Sequence, residues 1–111
     1  MKILIAEDDL VAQRILSVAL QKIGHEVIVA NDGQQAWDKL VRNRVQVIVS
    51  DWMMPNMSGV DLCRKVRARR RKDYIYFILV TALTSQENHN EAIEAGVDDF
   101  LAKPLRQDNL L

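Results

Sequence analysis

The chain is poor in the residues that interrupt or cross-link a fold. It has one cysteine, two prolines, four glycines and two each of Trp, Tyr and Phe in 111 residues. A single cysteine excludes an internal disulfide and any zinc site built on several thiolates. So few Gly and Pro leave no room for a flexible linker or a low-complexity segment. Excess charge is missing too: Lys+Arg 15 against Asp+Glu 15 gives a formal net charge of +0. The domain therefore lacks the overall field that draws a protein onto nucleic acid or an anionic membrane. No apolar run approaches the roughly 20 residues of a membrane span. The opening MKILIAEDD turns acidic too early for a secretory leader. These absences predict a cytoplasmic protein with no membrane partner and no direct nucleic-acid partner. The length predicts one domain covering 1–111.

What is present is a regular alternation. Short apolar runs at 2–6, Val27–Ala30, Val45–Ser50, Tyr74–Val80 and Asp99–Ala102 predict five strands, mostly buried on both faces. Between them, helical spacing predicts helices over Leu10–Ile23, Gln34–Arg42, Val60–Arg70 and Gln86–Ala95. Asp9 and Ser85 stand as N-caps, Gly24 and Gly96 as stops, and Asn31-Asp32-Gly33 as a turn. Val11, Ile15, Leu16, Val18, Leu20 and Ile23 predict a broad buried face on the first helix. Ala36, Trp37, Leu40 and Val41 do so on the second, and Val60, Cys63 and Val66 on the third. Asp108–Leu111 reads as the start of a fifth helix, short or truncated. Strand–helix alternation of this kind predicts an α/β, doubly wound five-stranded parallel sheet.

In an open parallel sheet, ligands bind beyond the carboxyl ends of the strands. Those ends deliver Glu7-Asp8-Asp9, Asp51, Thr81 and Lys103 to one rim. Clustered carboxylates repel one another, and a divalent cation relieves that cost. Hard oxygen ligands select Mg²⁺ or Mn²⁺. Such an ion attracts a phosphoryl oxygen, Lys103 adds a second positive clamp, and Thr81 offers a hydroxyl donor. Asp51 is then placed to act as a carboxylate nucleophile. For Asp9 the helix-capping reading comes ahead of a metal contact, which the sequence leaves open.

These residues also carry a family resemblance. The acidic pair after the first strand, D-x-x-x-P-x-x-x-G at Asp51, Pro55 and Gly59, Thr81-Ala82 after the fourth strand, and A-G-V-D-D-F-L-A-K-P at 95–104 together resemble the receiver domain of two-component response regulators. The resemblance covers nearly the whole chain. It implies a flavodoxin-like sheet of order 2-1-3-4-5. It also implies a phosphoacceptor switch that receives a phosphoryl group on Asp51 from a sensor histidine kinase or a phosphotransfer protein, with Mg²⁺ required. It implies Glu7, Asp8, Asp51 and the backbone carbonyl of Met53 as metal ligands, Thr81 and Phe100 as switch residues, and Lys103 in the phosphoryl pocket. Lys103–Pro104 is expected to be cis, since X-Pro bonds are where that isomer costs least. A changing face at the fourth helix and fifth strand, a C-terminal output domain in a longer native chain and a phosphorylation-linked homodimer complete the expectation. Two departures stand out: Glu7 replaces the commoner Asp, and Phe100 lacks the hydroxyl of the commoner Tyr.

Other features have plainer readings. The basic stretch at 64–72 is a solvated helix end, with cations favourable near a helix C-terminus. Cys63 is a small core residue, His25 and His89 are surface residues, and Met53, Met54 and Met57 belong to loop packing. Met53 and Leu83, two residues after Asp51 and Thr81, flank the path of an attacking water. Two further functions use similar folds or chemistry. An aspartyl-nucleophile phosphohydrolase usually needs a second Asp two residues after the first, where this chain has Met53. A flavin or nucleotide binder needs a Gly/Ser/Thr-rich loop where this chain has Glu7-Asp8-Asp9. A receiver-like interaction module acting without phosphorylation is the remaining alternative. The reading is a regulatory domain that catalyses its own phosphorylation and dephosphorylation, not a turnover enzyme.

Overall fold

A computed structural model describes residues 1–69, 73–82 and 85–103. The Lys103–Pro104 bond, Leu83 and the fifth helix expected at 108–111 lie outside the described residues. In chain order the elements are β1 (Lys2–Ala6), α1 (Leu10–Lys22), β2 (Glu26–Ala30), α2 (Gly33–Arg42), β3 (Val47–Asp51), α3 (Gly59–Ala68), β4 (Tyr76–Thr81), α4 (Gln86–Ala95) and β5 (Asp99–Ala102). The strands form one sheet of order β2-β1-β3-β4-β5, and every pairing is parallel. This is the flavodoxin-like order that the family resemblance implies.

The strands are apolar on both faces because helices cover both. Leu4, Ala6, Ile48, Phe77 and Leu79 face α2, α3 and α4, where they meet Ala36, Leu40, Val60, Leu62, Cys63, Val66, Ala92 and Ala95. The alternate residues Ile3, Ile5, Val49 and Val80 face the other way and pack with Leu16 and Leu20 of α1. Each of the described helices has a side-chain N-cap. Asp9 accepts from the Val11 N–H, Asp32 from Gln35, Ser58 from Asp61 and Ser85 from Asn88. Each such cap is worth about 1 kcal/mol.

Several boundaries and faces differ from the sequence reading. On α1 only Leu16 and Ala19 are fully buried, while Val11, Val18 and Ile23 are exposed. Two interleaved apolar series span a wider arc than one sheet face can cover. The α1 cap is Ile23, and Gly24 follows it at φ +94°. On α2, Val41 is exposed and Trp37 is only half-buried, lying beneath the Lys65 ammonium at 4.8 Å. β3 begins at Val47 rather than Val45 and keeps Asp51 inside the strand, paired with Val80. β4 begins at Tyr76, because Tyr74 turns aside and donates its hydroxyl to Asp98. α3 ends at Ala68, with Arg69 as its cap.

The described part of the basic stretch is tied down rather than freely solvated. Arg64 bridges Asp61 at 2.8 Å and Glu91 at 3.4 Å. Arg67 pairs with Asp98 at 2.8 Å and donates to the carbonyls of Ile75 and Gly96. Cys63 is buried, and desolvation pushes its thiol up to about 11, so it is inert packing.

Candidate functional site

The parallel register brings the strand ends together. Ala6 lies beside Ser50, Asp51 beside Val80, and Thr81 beside Ala102. The residue that follows each end is held by a further backbone bond: Glu7 N–H to Ala30, Trp52 N–H to Val80, and Lys103 N–H to Thr81, each at 3.1 Å. The rim is therefore an extension of the ladder, and its side chains sit on fixed backbone.

Asp51 is the centre of the group and is 5% exposed. Its Oδ1 accepts the Trp52 N–H at 2.9 Å, and its Oδ2 accepts from Lys103 Nζ at 3.0 Å. Lys103 Nζ also lies 3.7 Å from Glu7 Oε1. One carboxylate oxygen from each of Glu7, Asp8 and Asp51 lies within 4.8 Å of the others. Thr81 is buried on the neighbouring strand end. The structure thus brings Glu7, Asp8, Asp51 and Lys103 together, with Thr81 at the end of the adjoining strand. Asp9 stays outside the carboxylate group and caps α1.

Three carboxylates facing one ammonium are not electrically balanced. The imbalance shows at Glu7, which is 2% exposed and whose Oε1 has no hydrogen-bond partner. Burial first, and then the bond and charge of Asp51, push the Glu7 carboxyl up to about 8. Burial alone would lower Lys103, but its bond to Asp51 and the charges of Asp51, Glu7 and Asp8 leave it raised. An orphaned, buried carboxylate oxygen among hard oxygen donors is what a divalent cation would satisfy, so the donor set fits Mg²⁺ or Mn²⁺.

The loop after Asp51 is braced from two sides. A Cβ on Gly59 would come 2.1 Å from the Asp51 carbonyl oxygen, so α3 can start this close to the acceptor strand only with glycine there. The Gly59 N–H in turn donates to the Trp52 carbonyl at 2.8 Å. On the other side, Asn56 adopts φ +69° and donates from Nδ2 to Asp32 Oδ2 at 2.8 Å. A Cβ on Gly33 would meet the Met57 carbonyl at 2.3 Å, so the loop lies directly on the start of α2. Met53 projects from this loop at 71% exposure, whereas Met54 and Met57 pack partly against the core. The Asp32–Asn56 brace was not visible in the sequence beyond a turn signal at Asp32-Gly33.

Phe100 lies on β5 opposite Leu79, on the same sheet face as Thr81. His89 of α4 is not the simple surface residue expected. Its imidazole is stacked on the Phe100 ring. Nothing local to α4 announces this, because the partner ring comes from a strand 11 residues further along the chain.

Comparison with known proteins agrees with this geometry. Residues 3–111 match the response regulator receiver domain family. The chain is 37% identical over 107 residues to a chemotaxis protein CheY homolog of Campylobacter jejuni, across 95% of this chain and 82% of that protein. It superimposes on the chemotaxis response regulator CheY4 of Vibrio cholerae with a TM-score of 0.92 at 32% identity, covering 98% of this chain and 91% of that one. It also matches a chain in the co-crystal structure of the Saccharomyces cerevisiae histidine phosphotransfer signaling protein Ypd1 with the receiver domain of Ssk1. There the TM-score is 0.89 at 26% identity, over 99% of this chain and 83% of that one. Matched over almost its whole length in sequence, and in fold to solved members, the chain belongs to the family of response regulator receiver domains.

Proposed function

We propose that Asp51 accepts a phosphoryl group from a phosphohistidine of a sensor kinase or phosphotransfer protein, and that residues 1–111 act as one cytoplasmic signalling domain. The observation that carries this is Lys103 Nζ seated 3.0 Å from Asp51 Oδ2, beside the Glu7 and Asp8 carboxylates. An Asp51 oxygen attacks phosphorus, a P–O bond forms, the P–N bond to imidazole breaks, and the leaving nitrogen takes up a proton. Trp52 N–H holds one Asp51 oxygen and so orients the carboxylate. Lys103 transfers its contact to the incoming phosphoryl oxygens, and Thr81 donates its hydroxyl to another. Glu7, Asp8, Asp51 and the Met53 carbonyl would hold Mg²⁺ or Mn²⁺, which supplies charge neutralisation at the phosphoryl oxygens when bound.

Thr81 and Phe100 are diagonal neighbours on adjacent strands, Phe100 standing opposite Leu79 two residues before Thr81. Drawing Thr81 toward the phosphoryl group frees space for the Phe100 ring and reshapes the α4–β5 face. That face would contact an output domain, a separate target or a second copy of the chain. The protein is on this reading a switch that catalyses its own modification, not a turnover enzyme.

Acetyl phosphate with Mg²⁺ should add one phosphoryl mass to the intact protein, and Asp51→Asn should abolish it. Equal modification of the Asn variant would overturn the assignment. No modification of the wild type would favour an interaction module acting without phosphorylation. Release of inorganic phosphate at a sustained catalytic rate would favour a phosphohydrolase.

A further inference from the structure

His89 and Phe100 form the closest aromatic contact described in the chain. Their ring centroids are 4.5 Å apart and their planes differ by 13°. That spacing is at the short end of the range for favourable aromatic pairs. The two rings come from the two elements of the face that the switch is read to reshape, His89 from α4 and Phe100 from β5. Both are half-buried, so the stack sits at the edge of the face rather than in the core. α4 itself is anchored elsewhere, by Ala92 and Ala95 against the sheet-side cluster and by the Ser85 cap. The His89 ring stacks on Phe100, the side chain of β5 that the switch is read to move.

We propose that His89 is a positioning residue for the switch: its imidazole holds the Phe100 ring against α4 and sets how readily that ring leaves when Asp51 is modified. The inference rests on the reading of Phe100 as the switch aromatic. In physical terms the chain has two states, ring stacked on His89 and ring turned toward Thr81. A phosphoryl group on Asp51 favours the second, because only then is the space beside Thr81 open. Removing the stack takes free energy from the first state alone. The turned population then rises, and by linkage the affinity for a phosphoryl mimic rises by up to the same factor. Measured aromatic pair energies correspond to a factor of about two to ten.

The chain has two phenylalanines, which makes the ring directly observable. With 4-fluorophenylalanine incorporated, fluorine NMR gives one signal from Phe100 and one from Phe77, which is fully buried and serves as the internal reference. Wild type, His89→Ala and His89→Phe are titrated with beryllofluoride in the presence of Mg²⁺. Alanine is the best helix former and should preserve α4, which an unmoved Phe77 signal would verify. We expect the mimic to move the Phe100 signal in wild type. His89→Ala should shift the mimic-free signal part of the way there and lower the half-saturating mimic concentration about two- to tenfold. His89→Phe restores a flat partner and should return both quantities toward wild type. If His89→Ala leaves signal and half-saturation unchanged while the wild-type ring still responds, the inference is wrong and the switch role of Phe100 stands. A His89→Phe variant that behaves like His89→Ala overturns stacking as the cause. If the mimic binds and the Phe100 signal moves in neither protein, the switch role itself fails and takes the inference with it.

Discussion

The proton held by Glu7 should make cation binding strongly pH-dependent. The carboxyl is pushed up to about 8 from 4.5, first by burial and then by Asp51. A cation bound through Glu7 must displace that proton. At pH 6 about one Glu7 in a hundred is ionised, and at pH 8 about half, so the apparent Mg²⁺ affinity should rise about fifty-fold across that interval. Calorimetric titration in two buffers of different protonation enthalpy counts the protons released. Nearly one per Mg²⁺ is expected at pH 6, falling toward zero above pH 9. Glu7→Gln should bind more weakly and lose most of the slope. A wild-type affinity equal at pH 6 and pH 8, or an undiminished slope in the Gln variant, would refute the reasoning.

The same proton has a sign in folding. Between about pH 4.5 and 8 the folded chain holds a proton that the unfolded chain has released, so stability without metal should fall as pH rises through that window. The ceiling is about 5 kcal/mol, reduced in practice by the Lys103 ammonium nearby. Lys103 is itself raised, and its contribution is lost as pH rises through its folded pKa, in more alkaline solution. Denaturant melts at pH 6 and 8 with and without Mg²⁺ would therefore diverge: metal-free stability drops, and metal-bound stability does not.

Gly59→Ala places a methyl 2.1 Å from the Asp51 carbonyl and should cost roughly 1–3 kcal/mol in urea melts while slowing phosphoryl uptake. Arg67→Ala leaves Asp98 with only its Tyr74 hydroxyl and Phe77 N–H donors and takes the side-chain donor from two carbonyls, and should cost roughly 1–3 kcal/mol in urea melts; Arg67→Lys should recover less than half, since an ammonium cannot reproduce the fork. Met53→Asn puts a polar group on the exposed loop beside the acceptor and should speed loss of the phosphoryl group; an unchanged decay rate would show that Met53 does not govern its lifetime. Trp52 follows Asp51 directly and is buried, so Mg²⁺ should change its emission, and the change should vanish in Trp52→Phe but persist in Trp37→Phe.

Most of the fold could be read because its signals are local. An apolar run of five residues between a cap and a charge is a strand whatever surrounds it, and each helix N-cap lies at the residue before its first turn. The width of a buried face and the ends of an element carry no such local signal. Val11 and Val18 have the spacing of core residues, yet the sheet offers α1 a single stripe. Tyr74 has strand propensity, yet its hydroxyl finds Asp98 and the strand starts two residues later. Both outcomes depend on partners far along the chain, which periodicity does not encode.

The site could be read for a different reason. A parallel sheet sends every carboxyl end to one rim, so knowing where strands end is enough to know which side chains meet. Lys103 and Asp51 are 52 positions apart and still lie within a hydrogen bond of each other. The supports of that site follow no such rule. Gly59 looks like loop punctuation until the Asp51 carbonyl is found against it. Asn56 looks like a turn residue until Asp32 is found holding it. His89 looks like helix surface until Phe100 is found beneath it. In each case the sequence contains the residue but not its contact, because the contact is lateral, between elements whose separation is set by packing. Chemistry that topology delivers is therefore visible in one dimension, and the groups that restrain it become visible only in three.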